Sequence, residues 1–511
     1  MTTSRSSDTA PLSHPLACID MGSNSFRLEL GQLVAGRYKR SRYFKETVRL
    51  GAGLDEHSML TGEAVERGLA CLRRFADILQ GWPATHIRAV ATQTLREARN
   101  RNDFLTLAEQ ALGFPIEVIS GREEARLIFA GVAHLQPAEP PRLVIDIGGR
   151  STELILGQGR TPLEAESFQV GSVSLSMRHF PDGHISAEGF RTAQIAAGAA
   201  FEEALQIFKP ERWQEALGSS GTAGAVADVL EGSGITDRVV TPEALRWLIL
   251  RCIEAGHVDR LELPGLKPER RAVLPGGVAI LYTLLIHFGI EALRPAKGAL
   301  RQGVIVDLHD RLYAAAHPRT GHDPRDEAVQ ALQQRFQVDV AQATRVGTLA
   351  QTLFRQLALP EVTLHDAAEL RWATALHEMG LMVSHHDHHR HSAYLMAHVD
   401  AVGFSQSQQR RLSELILGQR GGLRKVESCL RRPVSAWQLL CLRLAILKCH
   451  ARQSIDDRAW RLVRTDHQVE LRYSLRWAQA HPATVYLLRE EAENWQRHGP
   501  LHLILPITPT V

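Results

Sequence analysis

Two periodicities share this chain. Short apolar runs at 17–20, 87–91 and 116–119 read as strands, whereas 63–80 places Val65, Leu69, Leu72, Phe75, Ala76 and Leu79 at helical spacing. The first part is therefore expected to be α/β. A Pro-rich joint, Gln136-Pro137-Ala138-Glu139-Pro140-Pro141-Arg142, separates it from a second α/β stretch. From 326 to about 452 helical spacing dominates, and β-rich runs return at 469–473 and 501–506. The boundaries that follow are a flexible tail at 1–14, α/β domains at 15–136 and 137–312, a helical domain at 318–475 and a small α+β domain at 476–511.

Both α/β halves open on one design. Ala17-Cys18-Ile19-Asp20-Met21-Gly22-Ser23-Asn24-Ser25 runs into Phe26-Arg27-Leu28-Glu29-Leu30, and Val144-Ile145-Asp146-Ile147-Gly148-Gly149-Arg150-Ser151-Thr152 runs into Glu153-Leu154-Ile155-Leu156. Each reads as strand, polar turn, strand. Consecutive N–H groups in such a turn form a concave donor surface, and Gly lets an anion approach without a Cβ in the way. The aspartate ending each first strand suits Mg²⁺, a hard cation that takes one or two carboxylates along with phosphate oxygens and water. One Gly-rich hairpin is usually only a turn; two matching copies point to a shared phosphate site.

Further motifs follow in order: Ala91-Thr92-Gln93-Thr94-Leu95-Arg96-Glu97-Ala98, Ile119-Ser120-Gly121-Arg122-Glu123-Glu124-Ala125-Arg126, Gly218-Ser219-Ser220-Gly221-Thr222 and Gly298-Ala299-Leu300-Arg301-Gln302-Gly303-Val304. With the two hairpins they resemble the exopolyphosphatase / guanosine pentaphosphate phosphohydrolase family, within the actin, sugar kinase and Hsp70 superfamily. Leu376-His377-Glu378-Met379-Gly380 and His389-Arg390-His391-Ser392-Ala393-Tyr394 are similar to the longer, exopolyphosphatase-type members. The resemblance implies duplicated ribonuclease H-like (actin-like ATPase) domains, with substrate between them, followed by an all-helical HD-like domain and a small α+β end. It implies processive release of terminal orthophosphate from inorganic polyphosphate, with Mg²⁺ and room for K⁺, in a homodimer. The sister activity, hydrolysis of guanosine pentaphosphate to the tetraphosphate, shares the same motifs. A non-catalytic polyphosphate or nucleotide sensor is the alternative of another class.

Hydrolysis of a phosphoanhydride needs a positioned water, a carboxylate to direct it and positive charge on the phosphoryl oxygens. Ser120 and Glu123 read as a capping box, Ser at the N-cap and Glu at N3, which leaves Glu124 free. The resemblance makes Glu124 the general base, with Asp146 and Glu153 in catalytic support and Asp20, Asp146 and Glu153 toward the metal. A helix-dipole carboxylate for Glu124 and turn chemistry for the aspartates are the structural alternatives. Phosphate contacts are expected from Gly22, Ser23, Asn24 and Ser25, and from Gly148, Gly149, Arg150, Ser151 and Thr152. Ser220, Gly221 and Thr222 precede a helix at 223–230 and would offer its N-terminus or simply cap it. Arg96 and Arg301 carry the planar fork that grips phosphate. The family's second hairpin reads Gly-Gly-Gly where this chain has Arg150, which would strain a turn that needed positive φ. Gln302 stands where the family usually has Glu.

Composition changes little of this picture. Hydrophobic residues at 44% and charged residues at 23% fit a folded globular chain of 511 residues and exclude a disordered one. No apolar run reaches the ~20 residues of a membrane span, and 1–8 lacks the apolar centre of a signal peptide, so the expected address is cytoplasmic, with peripheral attachment at the inner membrane face left open. The six cysteines lack CxxC spacing and read as buried thiols. Between 410 and 452 ten basic residues face only Glu414 and Glu427, a patch suited to a polyanion; no nucleic-acid motif accompanies it. His377, His385, His386, His388, His389, His391 and His398 crowd one stretch, but Glu378 replaces the aspartate of a metal-binding HD pair, and a metal-free domain is expected.

Overall fold

The first strand, β1 (Leu16–Met21), is buried throughout because its alternate residues serve two cores: Ala17, Ile19 and Met21 face one, Leu16 and Cys18 the other. With β2 (Phe26–Val34) and β3 (Arg37–Glu46) it forms an antiparallel meander, and β4 (Ile87–Ala91) and β5 (Ile116–Val118) extend its other side in parallel. The order is β3-β2-β1-β4-β5. Helices α1 (Gly62–Ile78), α2 (Gln93–Glu97), α3 (Arg101–Leu112) and α4 (Gly121–Leu135) belong to this half. The second half repeats it. Antiparallel β6 (Arg142–Ile147), β7 (Thr152–Gln158) and β8 (Thr161–Phe168) are followed by parallel β9 (Glu215–Ser219) and β10 (Leu293–Pro295), in the order β8-β7-β6-β9-β10. Its helices are α5 (Ser172–His179), α6 (Ala187–Phe201), α7 (Ser220–Gly232), α8 (Pro242–Ala255), α9 (Leu274–His287) and α10 (Leu300–Ala316). This is the duplicated ribonuclease H-like fold that the repeated hairpins imply.

The structure, a computed structural model, describes residues 15–317, 323–360, 362–454, 456 and 459–506; the expected tail at 1–14 lies outside the described residues. The chain divides into two compact units between residues 321 and 322.

In the first unit, α4 and α10 share a core with Val90 and Cys18 of one sheet and Val144, Ile155 and Leu217 of the other. Their backbones meet where Gly131 of α4 faces Gly303 of α10. A Cβ on Gly303 would fall onto the Leu127 carbonyl, and one on Gly131 onto the Ala299 carbonyl; neither obstacle is a flexible side chain. Gly303→Ala is therefore expected to destabilise this unit by about 1–3 kcal/mol through overpacking, measured by chemical denaturation. The consequence reaches the site, because Glu124 lies in the first turn of α4 and Arg301 in that of α10.

The second unit holds α11 (Pro324–Arg335), α12 (Val340–Gln356), α13 (Leu364–Leu376), α14 (His388–His398), α15 (Gln406–Gly418), α16 (Glu427–Leu430) and α17 (Pro433–Lys448). Strands β11 (Arg461–Thr465) and β12 (Gln468–Arg472) follow, then α18 (Leu475–Ala480), α19 (Pro482–His498) and β13 (His502–Ile504). The strands on either side of residue 475 pair with each other, β12 with β13, and Leu462, Val469, Leu488 and Leu503 join the same apolar cluster as Leu349, Trp372 and Leu440. The C-terminal stretch thus shares one core with the helices, since a three-stranded sheet this small cannot bury its apolar face alone. Three of the ten basic residues between 410 and 452 are met by acids from elsewhere in this unit: Arg411 by Glu369, Arg443 by buried Glu491, Arg452 by Asp339 and Glu378. Burial pushes His388 and His389 down to about 4, so neither offers positive charge at neutral pH.

Candidate active site

The hairpin register decides what each loop presents. Asp20 lies opposite Arg27 across β1 and β2, and Asp146 opposite Glu153 across β6 and β7. Cross-strand partners share a face, so equivalent positions of the repeat hold an ion pair in one half and two carboxylates in the other. Arg27 Nη1 bonds Asp20 Oδ2 at 3.0 Å. Burial raises the pKa of Asp146 against the lowering effect of the nearby Ser219 and Ser220 hydroxyls, and burial together with the charges of Glu124 and Asp146 pushes Glu153 well above the usual carboxylate range.

A cleft of about 470 Å³ lies between the two halves. Of the expected residues, Asp20, Gly22, Ser23, Asn24 and Ser25 line it from the first hairpin, and Asp146, Gly148, Gly149 and Ser151 from the second. Ser220, Gly221, Thr222, Glu124 and Arg301 complete that set. The hydroxyls of Ser220 and Thr222 both donate to the Ile147 carbonyl, which leaves the α7 N-terminus to offer the cleft backbone N–H groups. Ser220 stands at φ 69°, an uncommon conformation for serine of the kind that collects at functional sites.

Four expected contacts are turned elsewhere. Thr152 is fully buried and donates its hydroxyl to the Val170 carbonyl at 2.6 Å, because strand alternation points it into the sheet's packing and away from the loop. Glu153 accepts from Ser167 Oγ at 2.8 Å and stays almost wholly buried. Arg96 donates Nη1 to Glu124 Oε2 at 2.8 Å and to the Ile119 carbonyl at 3.0 Å, while its buried Nη2 has no partner. Arg150 reaches Glu97, with Nε at 2.8 Å from Oε2. The strain reading of Arg150 fails as well: its φ is not positive, and neither are those of Gly148 and Gly149.

Glu124 is the carboxylate best placed to direct a water. Ser120 caps α4 by accepting from the Glu123 N–H, while the Glu123 carboxylate is taken by Arg126 in a two-bond fork, which leaves Glu124 at the cleft. Burial raises its pKa, and Arg96 opposes that shift. Arg301 is held from behind by Glu29, through Nε at 3.1 Å, and reaches Asp20 at 3.4 Å; the same Glu29 accepts from Gln302 at 2.6 Å and from Tyr38.

The sequence motifs missed the basic side chains of the cleft. Arg27, Arg40, Lys45, Lys267, Arg270 and Lys297 line it together with Arg301. The signal was the run of cations along the edge strand β3, Arg37, Lys39, Arg40, Arg42 and Lys45, but alternation alone could not say which of them faced the cleft. Burial and the neighbouring Arg270 and Arg27 lower the pKa of Lys45; burial and Arg27 lower that of Arg270. A Cβ on Gly221 would collide with the Arg270 guanidinium, so this cation sits over the α7 N-terminus, where the helix dipole disfavours it until an anion intervenes.

Asp20, Glu124 and Asp146 are buried carboxylates on the cleft wall, oxygen donors of the kind a hard dication takes. Among the described residues no three His, Cys, Asp or Glu side chains come together as a metal site by themselves.

Comparison with known proteins adds the following. A profile of the Ppx/GppA phosphatase family matches residues 42–312, and one for domain III of that family matches 325–492. The chain is similar to a crystal structure of an exopolyphosphatase-like protein, at 26% identity and a TM-score of 0.53, over 59% of this chain and 99% of that one. It shares its fold with an exopolyphosphatase from Cytophaga hutchinsonii, at 24% identity and a TM-score of 0.53, over 58% of this chain and 98% of that one.

Proposed function

Because the chain belongs to the Ppx/GppA phosphatase family, we propose that it is an exopolyphosphatase, releasing terminal orthophosphate from inorganic polyphosphate. The observation that carries this reading is the crowd of cations along the cleft, where burial and neighbouring guanidinium groups lower the pKa of Lys45 and Arg270. Such a cleft gains from a ligand with many negative charges in a row. N–H groups of the two hairpins and the α7 N-terminus would hold the terminal phosphoryl oxygens, Arg301 would add its guanidinium, and Glu124 would orient the attacking water. Asp20 and Asp146, the carboxylates that end the first strand of each hairpin and line the cleft, would hold Mg²⁺. When bound, the ion would neutralise charge on the phosphoryl oxygens.

A second reading, hydrolysis of guanosine pentaphosphate, is favoured by Tyr43, whose ring lines the cleft with the Arg301 and Arg40 guanidinium groups 5.3 and 5.6 Å from its centroid. An aromatic face gives a nucleobase a stacking surface.

The test is Mg²⁺-dependent orthophosphate release from long-chain polyphosphate and from guanosine pentaphosphate, measured side by side over a range of ionic strength. The expected result is a higher kcat/KM for the polymer, falling steeply as salt screens the cleft. Preference for the nucleotide would transfer the assignment to the second reading, and release from neither would leave a phosphate-binding sensor.

A further inference from the structure

Arg150 is where this chain departs from its family's second hairpin, and its side chain reaches across to the first half of the unit without lining the cleft. Nε and Nη2 bond Glu97 Oε2 at 2.8 and 2.6 Å, and Nη1 donates to the Gly51 carbonyl at 3.1 Å. Both partners belong to the first half of the unit, while Arg150 follows β6 of the second. The two hairpins also approach each other here: a Cβ on Gly149 would come within 3.1 Å of the Ser23 Cβ. Glu97 does more than receive Arg150. Its other oxygen accepts from Gln93 Nε2 at 2.7 Å, Gln93 Oε1 accepts from Arg96 Nε at 2.8 Å, and Arg96 Nη1 holds Glu124 at 2.8 Å. One unbroken line of polar contacts therefore joins the second phosphate hairpin to the carboxylate proposed to direct water.

We infer that Arg150 is a positioning residue: it ties the second hairpin to the Glu97 end of α2 and, through Glu97 and Gln93, fixes the guanidinium that aims Glu124. The inference rests on the phosphatase reading for its consequence but on geometry alone for the tie. A glycine at this position reaches nothing, so the tie belongs to this chain's own sequence. Arg150 does not line the cleft, and losing it should disturb the catalytic step more than substrate binding.

The experiment uses the full chain with Arg150→Gly, Glu97→Gln and the double variant, each assayed for kcat and KM on polyphosphate and for amide hydrogen exchange over 49–54 and 92–98. Either single change is expected to lower kcat by about 10-fold, short of the ~10²-fold that a 1 Å misplacement costs, with KM nearly unchanged. The double variant should be no worse than the poorer single, because both remove one interaction. Exchange in both segments should quicken in all three. Arg150→Lys, which keeps the charge and one bond to Glu97, should recover part of kcat. Unchanged exchange, or losses that multiply in the double variant, would overturn the tie. If the parent chain releases no phosphate from either substrate, the phosphatase reading fails, and the exchange data alone decide whether the tie exists.

Discussion

Glu124→Gln should lower kcat for orthophosphate release by about 10²–10⁴-fold, the cost of losing a general base, with KM little changed. Glu124 is on the cleft wall, and Arg96 donates to only one of its oxygens, Oε2, leaving Oε1 to take a proton from water. Its neighbour Glu123 cannot substitute, being fully buried and gripped by Arg126. The amide of glutamine keeps the shape and an acceptor for Arg96 but is not basic, so the fold and the thermal midpoint should hold while turnover falls. A loss of kcat no greater than that of an exposed glutamate would remove Glu124 from the role.

The same residue sets a pH dependence. Burial raises the pKa of Glu124, and water attack needs the ionised form. Activity should therefore fall with decreasing pH along a limb that lies above the ordinary carboxylate range, and Glu124→Gln should abolish that limb together with the activity. Asp146 and Glu153 are shifted in the same direction, so the acid limb belongs to the group of carboxylates as a whole.

The two hairpins were legible because the chain repeats an aspartate, a polar turn and two apolar flanks, and the sheets repeat with them, strand for strand. Thr152 and Arg150 were not legible. The direction of Thr152 follows from the first residue of β7 facing the packing around Val170, and that of Arg150 from Glu97, 53 positions away in sequence. The helical second unit was readable from spacing alone, whereas the strands after 460 could not be assigned to a core until their pairing was known, because a short apolar run says nothing about what covers it. Lys45 and Arg270 illustrate the general difficulty. Each is an ordinary surface cation in its own segment, and only the approach of β3 to the 267–273 segment brings them together, with Glu269 3.9 Å from Lys45.

The site also depends on a buried ionic hub that no motif announced. Asp307 of α10 takes Arg88 at 2.6 Å, Arg126 at 2.5 Å and Arg311 at 2.5 Å, and its carboxylate is almost wholly buried. Arg88 belongs to β4 and Arg126 to α4, so a single carboxylate joins the strand that leads to Arg96, the helix whose first turn carries Glu124 and the helix whose first turn carries Arg301. Burial alone would raise its pKa; Arg126, Arg311 and Arg88 outweigh that and hold it well below the usual range. The sign follows: a depressed folded pKa gives stability that is fully present above the unfolded value of about 3.9 and is lost only as pH falls toward the folded one. Removing the acceptor takes a buried carboxylate from three guanidinium groups at once, while Glu117 still meets Arg88 and Glu123 still meets all three. Asp307→Ala is therefore expected to destabilise the first unit by about 3–5 kcal/mol, the cost of stranding buried charge. Hydrogen exchange in α4 and α10 under native conditions reads this directly, and the protection of both helices should fall together. If only α10 loosens, Asp307 stabilises its own helix and the alignment of Glu124 with Arg301 is held by the Gly131–Gly303 contact instead.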